Sequence, residues 1–267
     1  MSESTEQMPV AVLAGGGPDD KVAKATGAPC KALAEVGGRP LVTWVLDALN
    51  GAELVSEIVV VQGPAQPLSE QLVAPARLAT ARGPEVLDTF RAAVAALPES
   101  ERILCVTADL PLLTSEAIDD FVGSCLPLQA EVSYAIVAAD AVERAAPGRG
   151  KTVARLREGR VTGGGAACVS RRFILEYGPS IAEVFARRKS KLGMLSMFGW
   201  AFVLRLALGR LSVTELEKRA SEMLGCTLQA VRSEYAGLAL DVDDADDLEL
   251  AGRHVGQLTH DKRSSQE

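Results

Sequence analysis

The residues best suited to chemistry are carboxylates at the ends of short apolar runs. Arg102–Thr107 (RILCVT) reads as a buried strand and delivers Ala108-Asp109-Leu110-Pro111. In an open parallel sheet, ligands bind beyond the carboxyl ends of the strands. An aspartate placed there, with Pro111 fixing the turn behind it, can hold a divalent cation against phosphate oxygens. Mg²⁺ takes one or two carboxylates together with phosphate and water. A second acidic group lies late in the chain, in Asp241-Val242-Asp243-Asp244-Ala245-Asp246-Asp247-Leu248. Strand-like alternation puts Asp241 and Asp243 on the same side, so both could face a cation. The choice between them stays open. Asp246 and Asp247 read as helix-start residues, favoured there electrostatically.

A site for phosphate is offered near the start of the chain. Val10–Leu13 is a short apolar run, and Ala14, Gly15, Gly16 and Gly17 leave it with almost no side chain. Such a loop aims backbone N–H groups at an anion and lets it approach closely. The segment then runs through Lys21, Lys24 and Lys31 to Gly37-Gly38, and a helical pattern starts at Arg39-Pro40. A dinucleotide fingerprint is excluded, because Asp20 stands where the third glycine belongs. A Walker A loop is excluded for want of Gly-Lys-Ser/Thr. What remains is a long loop carrying lysines, suited to wrapping a polyphosphate. A solvated loop after an edge strand would have the same composition.

The motifs LAGG at Leu13–Gly16, Lys31-Ala32-Leu33, GGRPL at Gly37–Leu41 and T-x-D-x-P at Thr107–Pro111 resemble those of the sugar-nucleotide pyrophosphorylases and MobA-like NTP transferases. DVDDADDL resembles the late acidic segment of the same family. The resemblance covers the N-terminal half and the last strand and helix. It implies nucleotide contacts from Leu13, Ala14, Gly15, Gly16, Gly17 and Lys31, and a place for Gly83 near the base. Mg²⁺ would be held by Asp109 with Asp241 or Asp243, and Lys31 and Asp109 would be the catalytic pair. The family loop usually carries an arginine; here Lys21 or Lys24 stands in its place. The implied reaction moves an NMP group from an NTP to a phosphorylated small-molecule acceptor and releases pyrophosphate. A phosphate is already nucleophilic, so no general base is needed, and the chain's two histidines lie beside no serine or cysteine motif. Two alternatives remain: a glycosyltransferase of related architecture, which would want D-x-D where Asp109-Leu110-Pro111 stands, and a nucleotide-binding regulator without turnover.

Composition sets the frame. With 267 residues, 48% hydrophobic and 24% charged, the chain can bury a sizeable core. A net charge of −7 argues against nucleic acid as a partner, and 4% aromatics against a stacking platform. The five cysteines form no C-x-x-C pair, so neither zinc nor a disulfide framework is expected. Without a signal-peptide pattern at Met1–Met8, a cytoplasmic location is the expectation. The expected fold is α/β and Rossmann-like (GT-A-type), a mainly parallel twisted sheet flanked by helices. One domain is expected over 9–257, with a helical insertion at about 171–225 and disordered tails at 1–8 and 258–267. The Gly163-Gly164-Gly165 run fits either close approach of the acceptor or a bulge. Within the insertion, Arg187, Arg188, Lys189 and Lys191 precede an apolar run to Leu208. Arg205 and two glycines make it too interrupted to span a membrane. It suits a lid or oligomer helix, a surface membrane contact, or an anion site for the acceptor.

Overall fold

The computed structural model describes residues 6–17, 19–149, 151–178, 181–182 and 199–264, with side chains as far as 256. Strand β1 (Met8–Ala14) leads to a short helix α1 (Lys21–Thr26), then to a small hairpin, β2 (Glu35–Val36) and β3 (Arg39–Pro40). Helix α2 (Leu41–Gly51), strand β4 (Val55–Gln62), helix α3 (Glu70–Val73), strand β5 (Arg77–Thr80), helix α4 (Val86–Ala96) and strand β6 (Arg102–Thr107) come after it. Next are α5 (Ser115–Cys125), β7 (Val132–Ala138) and α6 (Ala139–Ala145), then the hairpin of β8 (Ala154–Leu156) and β9 (Gly159–Ser170). The chain closes with α7 (Arg171–Glu176), α8 (Trp200–Ala207), α9 (Val213–Leu224), β10 (Leu228–Ser233) and α10 (Ala245–Ser264).

The main sheet runs β10-β7-β9-β6-β1-β4-β5, with β8 added to β9. Pairs β1/β4, β1/β6, β4/β5 and β10/β7 are parallel, and β9 lies antiparallel between β6 and β7. The sheet is therefore mixed but mostly parallel and Rossmann-like, as the apolar runs imply. Its strands are apolar on both faces because both faces are covered. Val10, Val12, Val60, Leu104 and Val106 point into one core with α2 and α5, while Ala11, Val59, Val61, Ile103 and Cys105 point into the other with α4 and α7. Phe121 of α5 is fully buried. Truncating such a ring to alanine costs about 3–5 kcal/mol.

Several elements differ from the sequence-based expectation. The lysine loop is not continuous: Asp20 caps α1 by accepting from Val22 N at 2.8 Å, and Gly27 ends it in the left-handed region at φ 71°. Gly37 and Gly38, with φ of 60° and 74°, form the tight β2–β3 turn, so α2 begins at Leu41 rather than at Arg39-Pro40. Helix α4 starts at Val86, after a capping box made by Glu85 and Asp88, so Gly83 lies before the helix. Met8, read with the N-terminal tail, is buried in β1 and donates its N–H to Leu54 O at 2.8 Å. Helix α10 extends to Ser264. The basic cluster Arg187, Arg188, Lys189 and Lys191 lies outside the described residues. Helix α8, on its C-terminal side, leaves Trp200 and Leu204 exposed. No described helix is long and apolar enough to cross a membrane.

Candidate active site

The site is built where β1 and β6 end side by side. Leu13 is in register with Thr107, and Ala108 N donates to Leu13 O at 3.2 Å. Parallel pairing therefore delivers the glycine loop and Asp109 to the same edge of the sheet. The loop is steadied from β4: Gln66 donates its side-chain amide to Gly16 O, and its Oε1 accepts from Gly63 N at 2.9 Å. Gly15 has little room for a side chain, since a Cβ there would sit 3.1 Å from Thr89 Oγ1. The late acidic segment is pinned to the same place by Val242 N, which donates to Asp109 O at 3.0 Å.

Asp109, Asp241 and Asp243 each present a carboxylate oxygen, all within 4.8 Å of one another. Two lysines face them. Lys31, in the short 3-10 turn Lys31–Leu33, lies 2.5 Å from Asp109 Oδ2 and 3.2 Å from Asp243 Oδ1. Lys151 lies 2.6 Å from Asp241 Oδ1 and also donates to Asp241 O at 2.9 Å. Burial works against the Lys31 charge, but Asp109 and Asp243 outweigh it and raise its pKa above the usual lysine value. Burial raises the Asp241 pKa against the pull of Lys151, with the Asp243 and Asp109 charges pushing the same way. Asp243 is also penalised by burial, yet Lys31 holds its carboxyl below the usual carboxylate range. Neighbouring carboxylates thus sit in opposite electrostatic settings.

Asp109 Oδ1 is buried without a hydrogen-bond partner. A bare carboxylate oxygen beside two further carboxylates is costly unless a cation completes it. An all-oxygen donor set of this kind fits a hard cation such as Mg²⁺. The first turn of α10 holds Asp243 in place. Asp247 Oδ2 accepts from Asp243 N at 3.0 Å, and Asp247 is paired with Arg149, which also reaches Asp244 at 3.1 Å.

A model of the MobA-like NTP transferase domain matches residues 10–180. The chain belongs to the MobA-like NTP transferase family. Among solved structures, a hypothetical transferase from Thermus thermophilus is 35% identical and superposes with a TM-score of 0.79, covering 91% of this chain and 100% of that one. A CMP:2-keto-3-deoxy-manno-octonic acid synthetase complexed with CTP is 14% identical, with a TM-score of 0.58 over 95% of this chain and 99% of its own. A Mycobacterium sp. strain JC1 homologue of Mycobacterium tuberculosis rv0371c is 17% identical, with a TM-score of 0.52 over 94% and 98%. The last two share the fold alone. None of the curated proteins compared by sequence matches the chain. Membership of the NTP transferase family supports a nucleotidyltransferase.

Within this NTP transferase, the structure brings Gly15, Gly16 and Gly17 to the same sheet edge as Lys31, Asp109, Asp241 and Asp243. Lys21 and Lys24 sit on α1, both exposed, and Lys24 is paired with Asp19 at 2.9 Å. Among the described residues, no ion pair joins either lysine to the three aspartates. Gly83 has a local explanation, because a Cβ there would collide with Asp88 Oδ2, the atom that accepts from Glu85 N in the α4 cap. The three glycines of β9 stand at a register shift against β7. A Cβ on Gly165 would meet Thr107 Oγ1 at 2.6 Å, and one on Gly164 would meet Ala135 Cβ at 2.9 Å. They form a bulge packed against neighbouring strands. Lys151 and Arg149 escape a reading of the sequence, because the stretch containing them is polar and glycine-rich like any surface loop. Two cations closely flanking Gly150 are the one signal that could mark them.

Proposed function

We propose that this NTP transferase moves a nucleoside monophosphate from an NTP to a phosphorylated small-molecule acceptor. An acceptor phosphate oxygen forms a bond to the α-phosphorus, the bond from that phosphorus to the bridging oxygen of the β-phosphate breaks, and pyrophosphate leaves with the electron pair. No proton need be removed from the nucleophile. Catalysis then rests on position and charge. The backbone from Leu13 to Gly17 cradles the triphosphate, and Lys31 neutralises charge on the departing pyrophosphate. The Lys24–Asp19 pair favours Lys21 as the second basic contact of the loop. Gly83 lies at the entry to α4, near the place assigned to the base. Asp109, Asp241 and Asp243 would hold Mg²⁺, which supplies positive charge to phosphate oxygens. Lys151 keeps Asp241 oriented and would exchange that partner for the acceptor phosphate when it binds. The cytoplasm, where NTPs are made, is the setting that suits this chemistry.

The observation that carries the proposal is the partnerless Asp109 oxygen among three carboxylates, next to the glycine loop of an NTP transferase. Thermal melting with each of the four NTPs, with and without Mg²⁺, tests it. A bound ligand raises apparent stability according to occupancy. A rise with one NTP that needs Mg²⁺ is expected and would name the base. A rise with nucleotide sugars alone would overturn the proposal.

A further inference from the structure

A cavity of about 800 Å³ adjoins the carboxylate cluster, and Lys151, Asp241 and Asp243 form part of its wall. The rest of the wall is the open face of β7, β8, β9 and β10, with α8 and α9 opposite. Its residues are mainly aliphatic, among them Ile136, Val203, Leu206, Leu216 and Leu228. The polar side chains within this wall are largely engaged. Glu217 Oε1 accepts from Ala230 N at 2.8 Å, Thr162 Oγ1 donates to Thr152 O at 3.0 Å, and Asp241 holds Lys151. Arg155 is exposed to solvent. A sugar is recognised by hydrogen bonds to its hydroxyls, and a flat heterocycle by an aromatic face as well as polar edges. Among the described residues this wall offers branched aliphatic carbons instead, with Tyr134 as the one aromatic ring lining it. The cavity is large enough for a drug-sized ligand.

We infer that the acceptor is an amphiphilic monophosphate: a phosphate at the Lys151 end and an aliphatic or isoprenoid body between the sheet and helices α8 and α9. The inference rests on the transferase proposal for its chemistry. The acceptor oxygen bonds to the α-phosphorus of the NTP and pyrophosphate leaves, so the product is a nucleoside diphosphate ester of the apolar chain. The cavity itself is tested without any nucleotide.

Calorimetric titration of the full chain with butyl, hexyl and octyl phosphate, inorganic phosphate and glucose 1-phosphate separates the possibilities. Each methylene buried in an apolar cavity tightens Kd about three- to fourfold, so the alkyl series should be steep and octyl phosphate the tightest. Ala220 of α9 also lines the cavity, and Ala220→Trp, which places an indole in it, should weaken octyl phosphate at least tenfold and leave the NTP-induced melting shift unchanged. A flat alkyl series in the wild-type chain, or glucose 1-phosphate binding as tightly as octyl phosphate, overturns the inference whatever the variant does. A steep series in a protein that no NTP stabilises would leave the cavity inference standing and remove the transferase proposal.

Discussion

Lys31 and Lys151 approach the same carboxylates from different parts of the chain. Their side chains are almost equally covered, 13% and 14% exposed, but their partners are not: Asp109 is 15% exposed and Asp241 35%. Lys31 bridges two carboxylates that lie 134 positions apart in sequence, Asp109 and Asp243 (243 − 109). Lys151 serves one residue, through its side chain and its carbonyl. Lys31 stands on a turn anchored by buried Cys30 and Ala32, whereas Lys151 belongs to the loop that enters the β8–β9 hairpin. The difference teaches that the Lys31 side of the cluster is anchored by buried residues beside the sheet, while the Lys151 side is hung on a loop next to the cavity. Changes on the first side should disable the chemistry, and changes on the second should alter which acceptor is used.

The largest expected effect comes from Asp109→Asn, which keeps the shape and removes a charge. Turnover should fall by about 10²–10³, the usual loss when one strong electrostatic contact to the reacting phosphates goes, and the Mg²⁺ dependence of NTP-induced melting should vanish. Lys31→Met comes next. Removing one member of a covered ion pair strands the other. Because the cluster is slightly open to solvent, we expect about 1–3 kcal/mol of lost stability in metal-free buffer. Added Mg²⁺ should recover part of it, a recovery that denaturant titration in EDTA and in Mg²⁺ will read. Lys151→Ala should be milder and of a different kind, raising acceptor KM by roughly tenfold for one lost charge-assisted contact while leaving the NTP melting shift intact. If Lys151→Ala instead abolishes Mg²⁺-dependent NTP binding, the two lysines are equivalent and the contrast between them fails. The smallest effect belongs to Gly83→Ala. Asp88 can swing away from the new Cβ, so the cost is that of a weakened cap, about 1 kcal/mol or less. An added loss of NTP affinity in that variant would place Gly83 beside the base.

The parts of this molecule that read clearly from its sequence are those governed by local pattern. Strands β1, β4 and β6 carry short apolar runs, Val10–Leu13, Ile58–Val61 and Ile103–Val106, because helices cover both faces of the sheet, and α9 announces itself by Ser212 and Glu215, which do form a capping box. Asp109 can be picked out because a strand end in an open sheet is a ligand edge. Helix α1 is hidden by its six residues, too few to show a period; Asp20 before it and Gly27 after it are its local marks. Strand β9 reads as two pieces because three glycines interrupt it, and its antiparallel course between β6 and β7 is set by pairing across the sheet, which periodicity does not record. Lys151 and Arg149 acquire their places only when the β8–β9 hairpin carries their loop toward α10. The pairing of Arg149 with Asp247, which fixes Asp243, links residues 98 positions apart (247 − 149).

The most direct test is a single-turnover assay on wild type and Asp109→Asn, with the NTP selected by melting, saturating Mg²⁺ and an alkyl phosphate acceptor. Pyrophosphate and the nucleotidylated acceptor are both counted. The cluster of Asp109, Asp241 and Asp243 predicts one pyrophosphate per adduct in the wild-type protein and a loss of about 10² or more in the variant. Adduct formation at a near wild-type rate in Asp109→Asn would show that the chemistry does not depend on the carboxylate at the end of β6.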